Sequence, residues 1–169
     1  YKEVREFLTD TYKRAVADWD LDGLKLDFID AFTLGEEALK PDARRDYLSL
    51  EEAVDTLMQE VKRELTAIRP DILIEFRQAY VGPAIRQYGN MLRVSDCPAD
   101  ALRNRQDILN LRLTSGRTAV HSDMLMWSPE ESPEAAALQF ASVLYGVPQI
   151  SVRIKTLPPA HKQMLQFYM

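Results

Sequence analysis

Two charged residues, Lys25 and Asp27, interrupt the apolar run Gly23-Leu24-Lys25-Leu26-Asp27-Phe28-Ile29. Read as a strand, the run places both side chains on one face, because side chains alternate along an extended chain. An ammonium beside a carboxylate favours the ionised carboxylate. On a rigid strand end, that group can attack an electrophilic carbon and leave in a later step. A structural ion pair at a strand end would account for the same two residues. A second carboxylate, Asp96, follows the run Met91-Leu92-Arg93-Val94-Ser95 and precedes Cys97-Pro98. One carboxylate that attacks and another that protonates the departing oxygen are the minimum apparatus for cleaving a glycosidic bond. Capping of the following helix would also explain Asp96, although Asp100 can take that role.

Other polar side chains stand at the ends of apolar runs. Arg77 and Gln78 follow Asp71-Ile72-Leu73-Ile74-Glu75-Phe76, either to hold sugar hydroxyls or as a solvated strand end. Arg93 is placed to hold Asp96 or to bind a hydroxyl. His121 and Asp123 share a face by alternation and suit a substrate-binding or supporting role, or a buried satisfied pair. No HxH or HxxxH accompanies them, so a metal site lacks a local ligand set. Trp127 suits stacking on a sugar face or core packing. Glu75 is expected to make a structural bond, and Asp20, Asp22 and Asp30 to serve turns and rims, with Asp30 a rival to Asp27. His161 is expected at the surface of the last helix, and Met91, Met124 and Met126 in the core. Neither GxGxxG nor GxxxxGK[ST] occurs, so a nucleotide has no local support. No cofactor or metal is expected.

The elements that must position these groups are legible in the periodicity. Val4, Phe7, Leu8, Tyr12, Ala15, Val16 and Trp19 recur at three- and four-residue steps and predict a helix over 1–19. Ser49 and Glu52 form a capping box for a helix that Pro70 stops. A short helical turn is predicted over 82–89, a helix over 99–116 closed by Gly116, another over 132–146, and a last one from Pro158. Strands are predicted near 24–29, 72–76, 91–95, 118–124 and 149–154. Positions 32–48 show no period and read as a long loop with the character of a lid. Alternating strand and helix implies an α/β class with a parallel sheet. The polar clusters lie at the C-terminal ends of the strands, where such folds put their chemistry. Five units are too few for a closed barrel. The simplest reading is the C-terminal part, strands four to eight, of a (β/α)8 TIM barrel. Residues 1–169 then form a single segment of it, with the rest of the barrel and any N-terminal β domain outside this chain, which begins at Tyr1 and not at Met. A complete small doubly wound domain is the alternative.

The composition narrows the class of function. Of 169 residues, 46% are hydrophobic and 28% charged, as in an ordinary globular protein, and the net charge is −5. An acidic chain without a basic stripe argues against a nucleic-acid partner. No apolar run approaches the roughly 20 residues of a membrane helix, so no membrane partner is expected. The single cysteine, Cys97, rules out an internal disulfide and fits a reducing compartment, hence a cytoplasmic expectation.

"GLKLDFID", followed one strand–helix–strand–helix passage later by "MLRVSDCPADALRNR", resembles the clan of retaining α-galactosidases, glycoside hydrolase families 27, 31 and 36, and family 36 in particular. The resemblance implies that Asp27, in a Lys-x-Asp motif ending strand four, is the nucleophile. It implies that Asp96, in Ser95-Asp96-Cys97-Pro98-Ala99-Asp100 ending strand six, is the acid/base. The activity implied is double displacement on terminal α-linked sugars, α-galactosides foremost, with an oligosaccharide or glycoside as substrate and Lys25 on its hydroxyls. The sequence departs from family 36 in two places. "EFRQAYVGPAIRQYGN" stands where many members carry a Cys-x-x-Gly-Gly-Gly-Arg-like loop. Arg93 stands where tryptophan is frequent, a pattern closer to family 27. Retention implies carboxyls about 5–5.5 Å apart. Asp96 would be protonated at rest, a state that close pairing with Arg93 opposes. Two other readings stay open. One is a Mg-dependent barrel lyase or racemase with Lys25 as base and Asp27, Asp96 and Asp123 as ligands. The other is a catalytically inactive carbohydrate-binding barrel. Each leaves room for a homo-oligomer of the full-length protein.

Overall fold

The computed structural model describes residues 1–35, 42–77 and 82–169. Among them, helices α1 (Lys2–Asp18), α2 (Leu50–Ile68), α3 (Ala101–Ser115), α4 (Pro133–Ser142) and α5 (Pro159–Tyr168) alternate with strands β1 (Gly23–Leu26), β2 (Leu73–Phe76), β3 (Met91–Arg93), β4 (Ala119–Leu125) and β5 (Val147–Ile150). The architecture is α/β with parallel strand pairing. The contacts gather into two compact units, residues 1–76 with 87–90, and residues 77–86 with 91–169. Among the described residues, no helix is long and apolar enough to cross a membrane.

In the first unit β1 and β2 pair in parallel from Gly23↔Leu73 to Leu26↔Phe76. Gly23 is required by the closeness of this pair. A Cβ there would lie 2.5 Å from the Leu73 carbonyl oxygen and 2.7 Å from its Cβ. Gly23→Ala is therefore expected to lower unfolding free energy by about 1–3 kcal/mol, the usual range for overpacking. A lower urea midpoint at constant slope checks this, and an unchanged midpoint refutes it. Helix α2 begins as its capping box requires, with the Ser49 hydroxyl accepting from Glu52 N–H at 3.2 Å. Its apolar face buries Leu57, Met58, Val61 and Leu65. Helix α1 packs on α2 and carries a buried cation, Arg5. The Arg5 guanidinium grips Asp46 through two bonds of 3.1 and 2.6 Å and lies 4.9 Å over the Tyr47 ring. Those bonds hold the Asp46 carboxyl well below the usual carboxylate range. Of the loop expected over 32–48, residues 32–35 and 42–48 form neither helix nor strand, and 36–41 lie outside the described residues.

In the second unit β3, β4 and β5 pair in parallel. Their core includes Val94, Ile108, Val120, Leu125, Trp127 and Phe140. Asp100 caps α3 by accepting from Arg103 N–H at 2.9 Å. Gly116 ends that helix at φ 58, ψ −121, a backbone conformation open to glycine. Arg86 donates to the Thr114 carbonyl and so satisfies an orphan acceptor of the last turn.

Several expected boundaries move. β1 stops at Leu26 because Phe28 turns into the left-handed region at φ 56. β3 ends at Arg93, short of the expected 95. β5 runs over 147–150 and not 149–154, with its pairing to β4 running from His121↔Val147 to Leu125↔Ile150. Helix α4 ends at Ser142, after which a turn closes with Gly146 N–H donating to Val143 O. Met124 and Met126 are exposed, contrary to the core expectation. A bulge between His121 and Met124 buries Ser122 and Asp123 in succession, breaks the alternation, and turns Met124 outward. His161 is also misplaced by the sequence reading. It is 2% exposed, with Nδ1 accepting from the Trp127 indole N–H at 3.0 Å and Nε2 lying 2.9 Å from the Glu131 carbonyl oxygen.

Candidate active site

At the end of β1, alternation brings Lys25 and Asp27 to one side, with Lys25 Nζ 3.5 Å from Asp27 Oδ2. The backbone N–H of Phe28 donates to Asp27 Oδ1 at 2.9 Å. Each carboxylate oxygen thus has a fixed neighbour, while both side chains stay partly open to solvent. The left-handed turn at Phe28 orients that N–H, and Ala31 N–H closes the following turn on the Phe28 carbonyl at 3.0 Å. For a residue with a Cβ, the left-handed region costs about 1–2 kcal/mol. Asp20 and Asp22 bind Arg69 at 2.5 and 2.9 Å and serve the turn before β1. Asp30 is exposed in the turn over 29–31.

Asp96 stands at the far end of a charged stack in the second unit. The buried Arg93 donates through Nη2 to Asp96 Oδ1 at 2.8 Å and through Nη1 to Asp123 Oδ1. Arg77 Nη1 lies 3.8 Å from Asp96 Oδ2. The Asp96 side chain is 63% exposed, whereas Asp123 is 1% exposed. Asp123 Oδ2 accepts from Cys97 N–H at 2.5 Å, and its own N–H donates to Asn104 Oδ1 at 2.7 Å. Asp123 is therefore buried behind Asp96 and positions Arg93 and the Cys97 turn. Because Asp100 caps α3, Asp96 is not needed as a cap. Guanidinium groups thus stand at both of its oxygens.

The remaining sequence candidates separate. His121, the register partner of Arg93 on the neighbouring strand, has Nδ1 3.2 Å from Gln149 Nε2. Trp127 is buried, with its ring 5.7 Å from Phe140 in an edge-on arrangement, so it packs the core and offers no sugar platform. Gln78 lies outside the described residues. Glu75 is buried within β2, as expected of a structural residue. The Cys97 thiol is pushed up to about 11, first by burial and then by Asp123, and so stays protonated and unreactive at neutral pH. Sequence reasoning missed Asn104, Gln149 and Phe28. The one signal for Asn104 was a poor helix former inside the helix predicted over 99–116. Among the described residues, no group of three or more His, Cys, Asp or Glu could hold a metal ion. Asp123, one of the three carboxylates a magnesium site would need, has both oxygens engaged by Arg93 and Cys97.

Compared with protein-family models, with curated proteins and with solved structures, the chain has no match in any of the three.

Proposed function

We propose that the protein is a retaining glycoside hydrolase of terminal α-linked sugars, α-galactosides foremost, whose strands are strands four to eight of a (β/α)8 barrel. The observation that carries the reading is Asp27 at the C-terminal end of a parallel strand, with Lys25 at one carboxylate oxygen and a backbone N–H at the other. The family 36-like motifs around Asp27 and Asp96 support the same assignment. In this reading the Asp27 oxygen attacks the anomeric carbon while Asp96 gives its proton to the departing glycosidic oxygen. Asp96, now a carboxylate, then takes a proton from water, whose oxygen attacks the same carbon and releases Asp27. Lys25 keeps Asp27 charged and meets sugar hydroxyls. The Arg93 contact suits Asp96 for the second half of the cycle. For the first half, substrate must loosen that contact so that Asp96 is protonated.

The test is hydrolysis of a panel of p-nitrophenyl α- and β-glycosides, with the first-formed product anomer read by proton NMR. The expected result is release of nitrophenol from an α-glycoside, with the α-anomer appearing before mutarotation and no loss of rate under chelation. A β-anomer formed first would overturn the retaining assignment. Hydrolysis of none of the panel would overturn the glycosidase reading itself.

A further inference from the structure

Phe28 combines two features that are unfavourable for an aromatic residue. It is a bulky residue at φ 56, ψ 24, where glycine or asparagine is the ordinary choice. Its ring is also 65% exposed, so burial returns little for the strained backbone. Exposed apolar residues scattered singly over a surface need no explanation. This one differs because it directly follows Asp27, and its own N–H binds the Asp27 carboxylate. A turn needed only to present that N–H would be made at lower energy by glycine. What the phenyl side chain adds is an apolar, flat, electron-rich face beside a carboxylate and an ammonium. A pyranose is a ligand of matching chemistry. One of its faces presents C–H groups to an aromatic ring, while hydroxyls at its edge meet charged groups. Lys25 Nζ, 3.5 Å from Asp27, is at hand for those hydroxyls.

We infer that Phe28 is the aromatic platform on which the substrate's pyranose ring stacks at Asp27, an inference that rests on the glycosidase reading above. The ring sets affinity and sugar preference, and the left-handed backbone holds it next to the carboxylate. Strain at a functional site is thereby tolerated because the ligand uses the strained residue.

The experiment compares wild type, Phe28→Gly and Phe28→Tyr in unfolding, in turnover of a p-nitrophenyl α-galactoside, and in calorimetric binding of methyl α-galactopyranoside. The same Phe28→Gly change is made in an Asp27→Asn background, where binding is read without hydrolysis. Phe28→Gly is expected to unfold at the same or higher urea concentration, since it relieves a left-handed residue that is mostly exposed. Its KM and its Kd for the methyl glycoside are expected to rise together by about tenfold or more, with kcat changed less. Phe28→Tyr keeps the aromatic face and should stay within about threefold of wild type. A purely structural role predicts the reverse, lower stability with unchanged Kd. Unchanged KM and Kd in Phe28→Gly, or a clear loss of stability, would overturn the inference while leaving the glycosidase reading in place. If wild type hydrolyses no glycoside, that reading falls and calorimetry still decides. Binding by wild type that Phe28→Gly loses retains Phe28 as a sugar platform, and no binding by wild type overturns it.

Discussion

On the glycosidase reading proposed above, Asp27→Ala is expected to lower kcat on an aryl α-glycoside by at least about 10³-fold, equivalent to roughly 4 kcal/mol of barrier. The expectation follows from the role of the carboxylate. Without it no glycosyl–enzyme ester forms, and Lys25 loses the anion whose charge it supports. Loss of rate alone would not separate a nucleophile from a structural ion pair, so the variant is also assayed with azide. A small anion entering the vacated space attacks the anomeric carbon from the side opposite the leaving group. The bond to nitrophenolate breaks without needing a proton. An α-glycoside should therefore give the β-glycosyl azide, and the rate should rise with azide concentration. Asp27 is only partly buried, so the unfolding midpoint of the variant should hold near that of wild type. A residual rate within about tenfold of wild type would remove Asp27 from the chemistry.

The largest stability effect is expected at a different carboxylate. Asp123→Ala should lower unfolding free energy by about 3–5 kcal/mol, because it leaves Arg93 buried without one of its charged partners. It also leaves the Cys97 N–H without its acceptor. Asp96 contacts the same guanidinium, yet its side chain is mostly exposed, and water replaces much of what is lost. Asp96→Ala should therefore cost less than about 1 kcal/mol. Replacing both buried partners by apolar groups of similar size, Arg93→Met with Asp123→Leu, should recover much of the loss, since no uncompensated charge remains inside. Urea unfolding of the three variants beside wild type measures these differences. An Asp123→Ala effect as small as that of Asp96→Ala would refute the argument that burial separates the two carboxylates.

What could be read in the sequence was whatever depends on neighbours a few residues away. The alternation of strand and helix follows from hydrophobic period. The caps at Ser49 and Asp100 and the stop at Gly116 follow from hydrogen bonds and dihedrals within one turn. The pairing of Lys25 with Asp27 follows from a two-residue step along a strand, and the structure bears out each of these. The left-handed turn at Phe28 was not legible, because nothing in a Phe-Ile pair announces it, and it shortens β1 by turning the chain immediately after Asp27. The supporting layer behind Asp96 was not legible either. Arg93, Asn104 and Asp123 meet only when β3, α3 and β4 pack together. The same holds for His161, whose partners Trp127 and Glu131 lie 34 and 30 residues away in the chain. The bulge in β4 turned Met124 outward, against its expected place in the core. Local pattern thus determined which elements form and which two carboxylates follow strands β1 and β3. Tertiary packing decided which charges are buried, which is the difference between a group that holds the fold and one that can reach a substrate. Burial is a sum over atoms brought from distant parts of the chain, and no short stretch of sequence contains that sum.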